Sequence, residues 1–225
     1  MDCTPAAATQ RSLSGFAAAG TGSDWPHFII VFVLLFTVYA VSSSRGVALE
    51  DDGLFVLTSY YAGIGHPPGY PLFILIGKAF SLLPFGSIAY KVHLASAFAG
   101  AAACAALWWC VRLLVPGRIP AYAAAFAFGL SVTFWSQSIV AEVYTLNCLF
   151  FFLILGVCLR LSGENQPGRH EDGATTHLLI LAAFLFGLSL SNHWPLMVLA
   201  SPAFLILAWP QMGRASRKLH YLIPA

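Results

Sequence analysis

Two short runs hold most of the groups in this sequence that are suited to proton chemistry. Glu50-Asp51-Asp52-Gly53 places carboxylates side by side, and His66-Pro67-Pro68-Gly69-Tyr70-Pro71 follows about fifteen residues later. Adjacent carboxylates repel one another, and partial burial raises at least one pKa, which suits a general base or acid. The plainer reading is a solvated acidic turn capping a helix that begins near Leu54, since Asp is a good N-cap. In the second run three prolines and a glycine fall within six residues. Prolines fix φ and remove donors, so the segment is rigid and non-helical. Such a segment can hold His66 and Tyr70 over a site, or serve only as a turn at a membrane surface.

Two further polar pairs interrupt apolar sequence. Glu142 and Tyr144 stand where a span begins, and the plain reading is an acidic group in a helix's first turn with an interfacial tyrosine. Asn192 and His193 precede Trp194-Pro195 and read as a cap and turn, with Asn192 suited to the left-handed region and Pro195 to the first helical position. The sequence contains no nucleophile triad, no zinc-ligand spacing and no phosphate-binding glycine loop. Of the five cysteines, four (Cys104, Cys110, Cys148, Cys158) lie in apolar stretches and read as small hydrophobic filler, so no metal site or disulfide is expected.

The elements that must position these groups are membrane helices. Of the 225 residues 59% are hydrophobic and 9% charged, against about 25% charged in a soluble domain. So few charges cannot cover a soluble surface, and lipid must cover much of this one. The net charge of +2, with no basic stripe, excludes a nucleic-acid partner. Spans need about 20 mainly apolar residues, and six segments qualify: 27–42, 90–113, 119–136, 143–160, 177–191 and 195–209. The six tryptophans fall at predicted span ends, where the indole ring prefers the interface. The first span has a long leader containing Asp24 and Arg11, which fits an uncleaved helix better than a signal peptide. Pro71–Leu83 is too short to cross and reads as an interfacial helix. The expected organisation is a disordered cytoplasmic leader 1–26, a transmembrane domain 27–209 with an outer loop 43–89, and a segment 210–225 that is cytoplasmic or opens a further span. The polar stretch 162–176 reads as a flexible loop.

Charge fixes the expected orientation. With the amino terminus inside, eight basic residues (Arg11, Arg112, Arg118, Arg160, Arg169, Arg214, Arg217, Lys218) lie inside and three (Arg45, Lys78, Lys91) outside, as the positive-inside rule requires. This places Asp51, Asp52, His66, Gln137, Glu142, Asn192 and His193 together on the outer face. The spans hold almost no charge at mid-membrane, which argues against an ion or proton path.

The order of these motifs is more specific than any one of them. An acidic pair, then His66 to Leu72, then Phe134 to Gln137 with Ala141 to Tyr144, then Gly187 to Leu190 with Asn192 and His193, resembles a family of multi-pass membrane proteins. That family includes bacterial members carrying a domain of unknown function and the animal transmembrane protein 260 O-mannosyltransferases. It looks like a branch of the GT-C glycosyltransferases. The resemblance covers roughly residues 30–205 and implies a GT-C-like, all-α fold in the bacterial inner membrane, with its active side outward. It implies inverting transfer of a hexosyl or mannosyl group from a polyprenyl-phosphate carrier to a hydroxyl of a polypeptide or glycan, without a cofactor. Asp51 would be the catalytic base, supported by Asp52. His66, Pro67, Pro68, Tyr70, Glu142, Tyr144, Asn192 and His193 would bind substrate. His66, Lys78 and Lys91 are the outer candidates to stabilise the leaving phosphate. The family commonly carries a glutamate three residues after the aspartate, where this chain has Leu54, so Asp52 or Glu50 would have to substitute. More spans and a soluble domain are expected beyond Ala225. Two other functions compete: a flippase for lipid-linked sugars, which calls for repeated halves with paired broken helices that the sequence lacks, and a non-catalytic membrane scaffold.

Overall fold

A computed structural model describes residues 23–48, 51–163 and 172–222; the leader 1–22, Glu50 and most of the 162–176 loop lie outside these. The described residues form helices and no strands: α1 (Trp25–Ser42), α2 (Asp52–Tyr61), α3 (Pro71–Ser81), α4 (Ile88–Leu114), α5 (Ile119–Gly129), α6 (Val132–Ser138), α7 (Tyr144–Gly163) and α8 (Asp172–Leu222). Four of them (α1, α4, α7 and 175–212 of α8) are long and apolar enough to cross a membrane, and α5 with α6 makes a fifth if that bent pair counts as one span.

Helix α4 is the central element. Its small residues Ala97, Ala101, Ala103, Cys104 and Ala105 are fully buried against α1 and α5, and small side chains let helix backbones approach closely in lipid. Gly156 of α7 extends this logic: a Cβ there would meet the Trp109 ring at 2.0 Å. Gly156→Val is therefore expected to destabilise the α4–α7 seam by about 1–3 kcal/mol. Thermal unfolding in detergent checks this, and an unchanged midpoint would rule out the seam.

One expected span, 119–136, is not a single rod. Its two helices meet at 68°. The backbone groups freed by the break find partners, as burial in lipid requires: the Tyr39 hydroxyl donates to the Gly129 carbonyl at 2.7 Å, and Ser131 Oγ accepts from Phe134 N at 3.4 Å. Trp108 also departs from expectation. It is buried, stacked on His27 and packed against Tyr122, rather than set at the lipid interface.

Helix α8 carries one non-helical residue, His193 (φ −144°, ψ 93°). The expected left-handed Asn192 is absent; the break falls one residue later, in extended backbone. Three hydrogen bonds set the direction beyond it. Asn192 Nδ2 donates to Val143 O (3.0 Å) at the start of α7, while Ser162 Oγ donates to Leu207 O (2.9 Å) and Gln211 Nε2 to Leu161 O (2.9 Å) at its end. The second half of α8 thus runs parallel to α7. Were α8 straight, Asp172 would lie about 60 Å from Gly163, and the nine peptide units between them reach only about 34 Å. The chain therefore folds back at His193, which brings Asn192 and His193 to the start of α7.

The same ends meet throughout. Asp24 lies 3.4 Å from Arg112 and 3.3 Å from Arg118, joining α1 to the α4–α5 turn at one end. Arg45, Lys78, Lys91 and the motifs from Asp51 to Tyr70 gather at the other. Along α4 the two ends are marked by His93 and Arg112, nineteen residues apart, or about 28 Å. That matches the roughly 30 Å of a bilayer's hydrocarbon core.

Candidate active site

Asp52 is 1% exposed and bound on both oxygens. Oδ2 accepts from Ala48 N at 2.6 Å, and Oδ1 accepts from Ala141 N at 2.7 Å and from His93 Nε2 at 2.8 Å. The other nitrogen of His93 faces the Ser44 carbonyl at 3.0 Å. A carbonyl can only accept, and so can a carboxylate; both ring nitrogens of His93 therefore carry hydrogen. The result is a fully buried imidazolium–carboxylate pair. Burial pushes the Asp52 carboxyl up, but the hydrogen bonds from His93, Ala141 and Ala48 and the His93 charge hold it below its usual value. A depressed folded-state pKa gives stability that is complete above the unfolded-chain value near 3.9 and lost as the pH falls through the folded one. We expect the unfolding midpoint to drop below about pH 4, with a smaller drop in Asp52→Asn; equal drops would exclude this source.

Asp51 occupies the N-cap position of α2 but makes no side-chain cap bond. The capping explanation of the acidic pair thus fails for its exposed member. The carboxylate, 57% exposed, instead lies 3.3 Å from His66 Nε2. His66 Nδ1 donates to its neighbour Pro67's carbonyl at 3.0 Å, which leaves Nε2 as the ring nitrogen turned toward Asp51. The H-P-P-G-Y-P run is non-helical, as expected, and feeds α3 with Pro71 at its first position. Its last residue before the helix, Tyr70, is held at φ 45°, ψ 49°, a left-handed conformation that a bulky side chain rarely adopts. Packing imposes it: the Tyr70 ring is buried against Phe55, His66 and His193, nearly parallel to the last. Burial raises the Tyr70 hydroxyl's pKa, and Tyr144, Asp51 and Glu142 add to the rise.

Glu142 stands in the link between α6 and α7 rather than in the first turn of a helix, since α7 begins at Tyr144. Ser96 fixes its backbone from both sides: Ser96 Oγ accepts from Glu142 N (3.1 Å) and donates to Glu142 O (3.2 Å). Tyr144 is half exposed and edge-on to His193 at 5.6 Å. A cleft of about 400 Å³ beside it is lined by Phe128, Ser131, Phe134, Gln137 and Cys148.

The structure thus gathers Asp51, His66, Tyr70, Glu142, Tyr144, Asn192 and His193, from four separate chain segments, around one opening. Pro67 and Pro68 shape the turn that presents His66. Asp52 belongs beneath the opening; buried, with donors on both oxygens, it cannot stand in for the carboxylate missing at Leu54. Lys78 and Lys91 are engaged elsewhere, on the carbonyls of Tyr60 (2.6 Å) and Leu83 (3.2 Å). Sequence reasoning missed His93 and Ser96. The available signal was a histidine inside an apolar helix, which is costly unless partnered. No group of three or more metal-ligating side chains occurs among the described residues.

Comparison with known proteins fits this arrangement. Residues 51–214 match the family described as the Protein O-mannosyl-transferase TMEM260 N-terminal domain. The chain belongs to the TMEM260 family. It is 34% identical over 185 residues to the mouse Protein O-mannosyl-transferase TMEM260, covering 80% of this chain and 26% of the mouse protein. The Dictyostelium discoideum protein of the same name is 27% identical over 182 residues, covering 77% of this chain and 22% of that protein. The chain therefore spans about a quarter of the length of these TMEM260 relatives. No solved structure matches. The matched region begins at Asp51 and includes every motif that lines the opening.

Proposed function

We propose that the opening transfers a sugar, mannose by analogy with the names of the TMEM260 relatives, from a polyprenyl-phosphate carrier to an acceptor hydroxyl. The observation that carries this reading is the exposed Asp51 carboxylate, free of any capping role and 3.3 Å from His66. In the step, Asp51 takes the acceptor's hydroxyl proton as that oxygen bonds to the anomeric carbon. The bond from that carbon to the phosphate oxygen breaks on the opposite face, with inversion, and its electron pair leaves on the polyprenyl phosphate. His66, 3.3 Å from Asp51, lies on the attacking face and orients that carboxylate; Lys78 and Lys91 are bound to backbone carbonyls. Glu142 supplies the second carboxylate of the site in place of the family's glutamate at position 54. Tyr70, Tyr144, Asn192 and His193 wall the sugar.

Depth supports a lipid-linked donor. His93, directly beneath Asp51 and Asp52, marks the hydrocarbon boundary on the α4 ruler, and the apolar helix α3 lies alongside. A carrier phosphate sits at that level, so chain and headgroup need not leave the bilayer. In this reading the fold-back at His193 and the bent α5–α6 pair give six crossings in a GT-C-like bundle, in a bacterial inner membrane with the opening outward. Transfer of labelled mannose from mannosyl-polyprenyl phosphate to a hydroxyl-bearing peptide, by the intact protein in proteoliposomes, tests the activity. Failure to transfer any polyprenyl-linked hexose would sink it.

Orientation has its own test. In a background lacking native cysteines, Ile64→Cys (87% exposed in the wild type) is expected to react with an impermeant thiol reagent added outside, and Ile119→Cys (81%) only after permeabilisation. The reverse pattern would invert the topology.

A further inference from the structure

Four pieces of chain meet at one buried carboxylate. The strap after α1 contributes Ser44 O and Ala48 N, α2 contributes Asp52 itself, α4 contributes His93, and the α6–α7 link contributes Ala141 N. His93 is 0% exposed and Asp52 1%. Two groups of the opening adjoin this knot directly in the chain: Asp51 is the neighbour of Asp52, and Glu142 is the neighbour of Ala141. Three residues along α4, Ser96 holds the Glu142 backbone as well, so one face of α4 sets the height of both carboxylates. Neither the strap nor the link is helical. The strap is also tied to α4 through Arg45, which meets Ser87 and Tyr90, and the link through Ser96; the Asp52–His93 contact is what joins strap and link to each other.

We propose that His93 is a positioning residue: by its buried hydrogen bond from Nε2 to Asp52, it locks the strap, the start of α2 and the α6–α7 link together and so places Asp51 and Glu142 for transfer. This inference rests on the reading of Asp51 as the base. His93 touches no substrate. Its effect passes through Asp52, and a shift of about 1 Å in a reacting group costs up to about a hundredfold in rate.

Two substitutions separate positioning from packing. Gln at position 93 places its amide nitrogen where Nε2 stood and keeps a donor to Asp52. Asn places its amide nitrogen near Nδ1 and keeps only the Ser44 contact. In the intact protein in proteoliposomes, His93→Asn is expected to lower kcat by about tenfold or more with KM for the lipid-linked donor unchanged. His93→Gln should stay within about threefold of wild type. Equal losses in the two variants, wild-type rates in both, or a change confined to KM would overturn the proposal. A second measurement needs no turnover. Nitrogen NMR of the histidine-labelled chain at pH 7.5 should show one ring protonated on both nitrogens and buried from solvent exchange, absent in His93→Gln. A His93 ring with no hydrogen on Nε2 would remove the donor to Asp52 and overturn the proposal. Full transfer by Asp51→Asn, or none by wild type, would instead refute the base reading, and the nitrogen signature would still decide the state of His93.

Discussion

Asp51→Asn is expected to reduce sugar transfer by at least about a hundredfold while leaving folding and membrane insertion unchanged. The size follows from general base catalysis, which supplies about 10²–10⁴-fold. An amide of the same shape cannot accept the acceptor's proton, yet it can still sit beside His66. Stability is spared because Asp51 caps nothing and is more than half exposed; its contact with His66 is a surface pair of a kind worth about 0–1 kcal/mol. Initial rates of transfer into an acceptor peptide, with the unfolding midpoint measured on the same preparation, check both halves. Undiminished transfer would remove Asp51 from the mechanism, and a large loss of stability would mean the side chain holds structure instead.

Much of this arrangement was legible in the sequence because membrane physics leaves few choices. Apolar runs near 20 residues, basic residues sorted to one side and a proline-rich entry to a short apolar helix placed the acidic pair, His66, Glu142 and Asn192 at one end, and the contacts of the structure bring them there. Orientation itself rests on the charge rule. What the sequence did not disclose depends on tertiary contacts. The capping and catalytic readings of Asp51–Asp52 could not be separated, because which carboxylate is buried depends on Ala141 and His93, respectively 89 and 41 residues away from Asp52. The break in 119–136 was hidden because Gly129-Leu130-Ser131 is apolar enough to continue a span; it holds because Tyr39, on another helix, satisfies the freed carbonyl. The turn at Asn192-His193 was visible, but its backbone state was not. The Asn192 amide donates to the start of α7, and His193 takes the non-helical, extended angles instead.

The neighbouring residue is expected to respond in the opposite way: Asp52→Asn should cost stability first and activity only as a consequence. Its carboxylate accepts three hydrogen bonds at 2.6–2.8 Å, two of them from backbone N–H groups on opposite oxygens. An amide has one oxygen, so its nitrogen must face the N–H of Ala48 or of Ala141, donor against donor. The substitution also leaves His93 charged without a counterion in a position fully closed to water. Breaking one side of a buried ion pair costs about 3–5 kcal/mol. A large fall in the unfolding midpoint in detergent, with residual transfer tracking the folded fraction, is the expected result. A stable but inactive Asp52→Asn would make Asp52 a reacting group despite its burial, and a stable, active one would show that the buried pair holds nothing. The two aspartates, identical in type and adjacent in the sequence, are thus divided by their surroundings: one is exposed at the opening, and the other is held beneath it by three donors on its two oxygens.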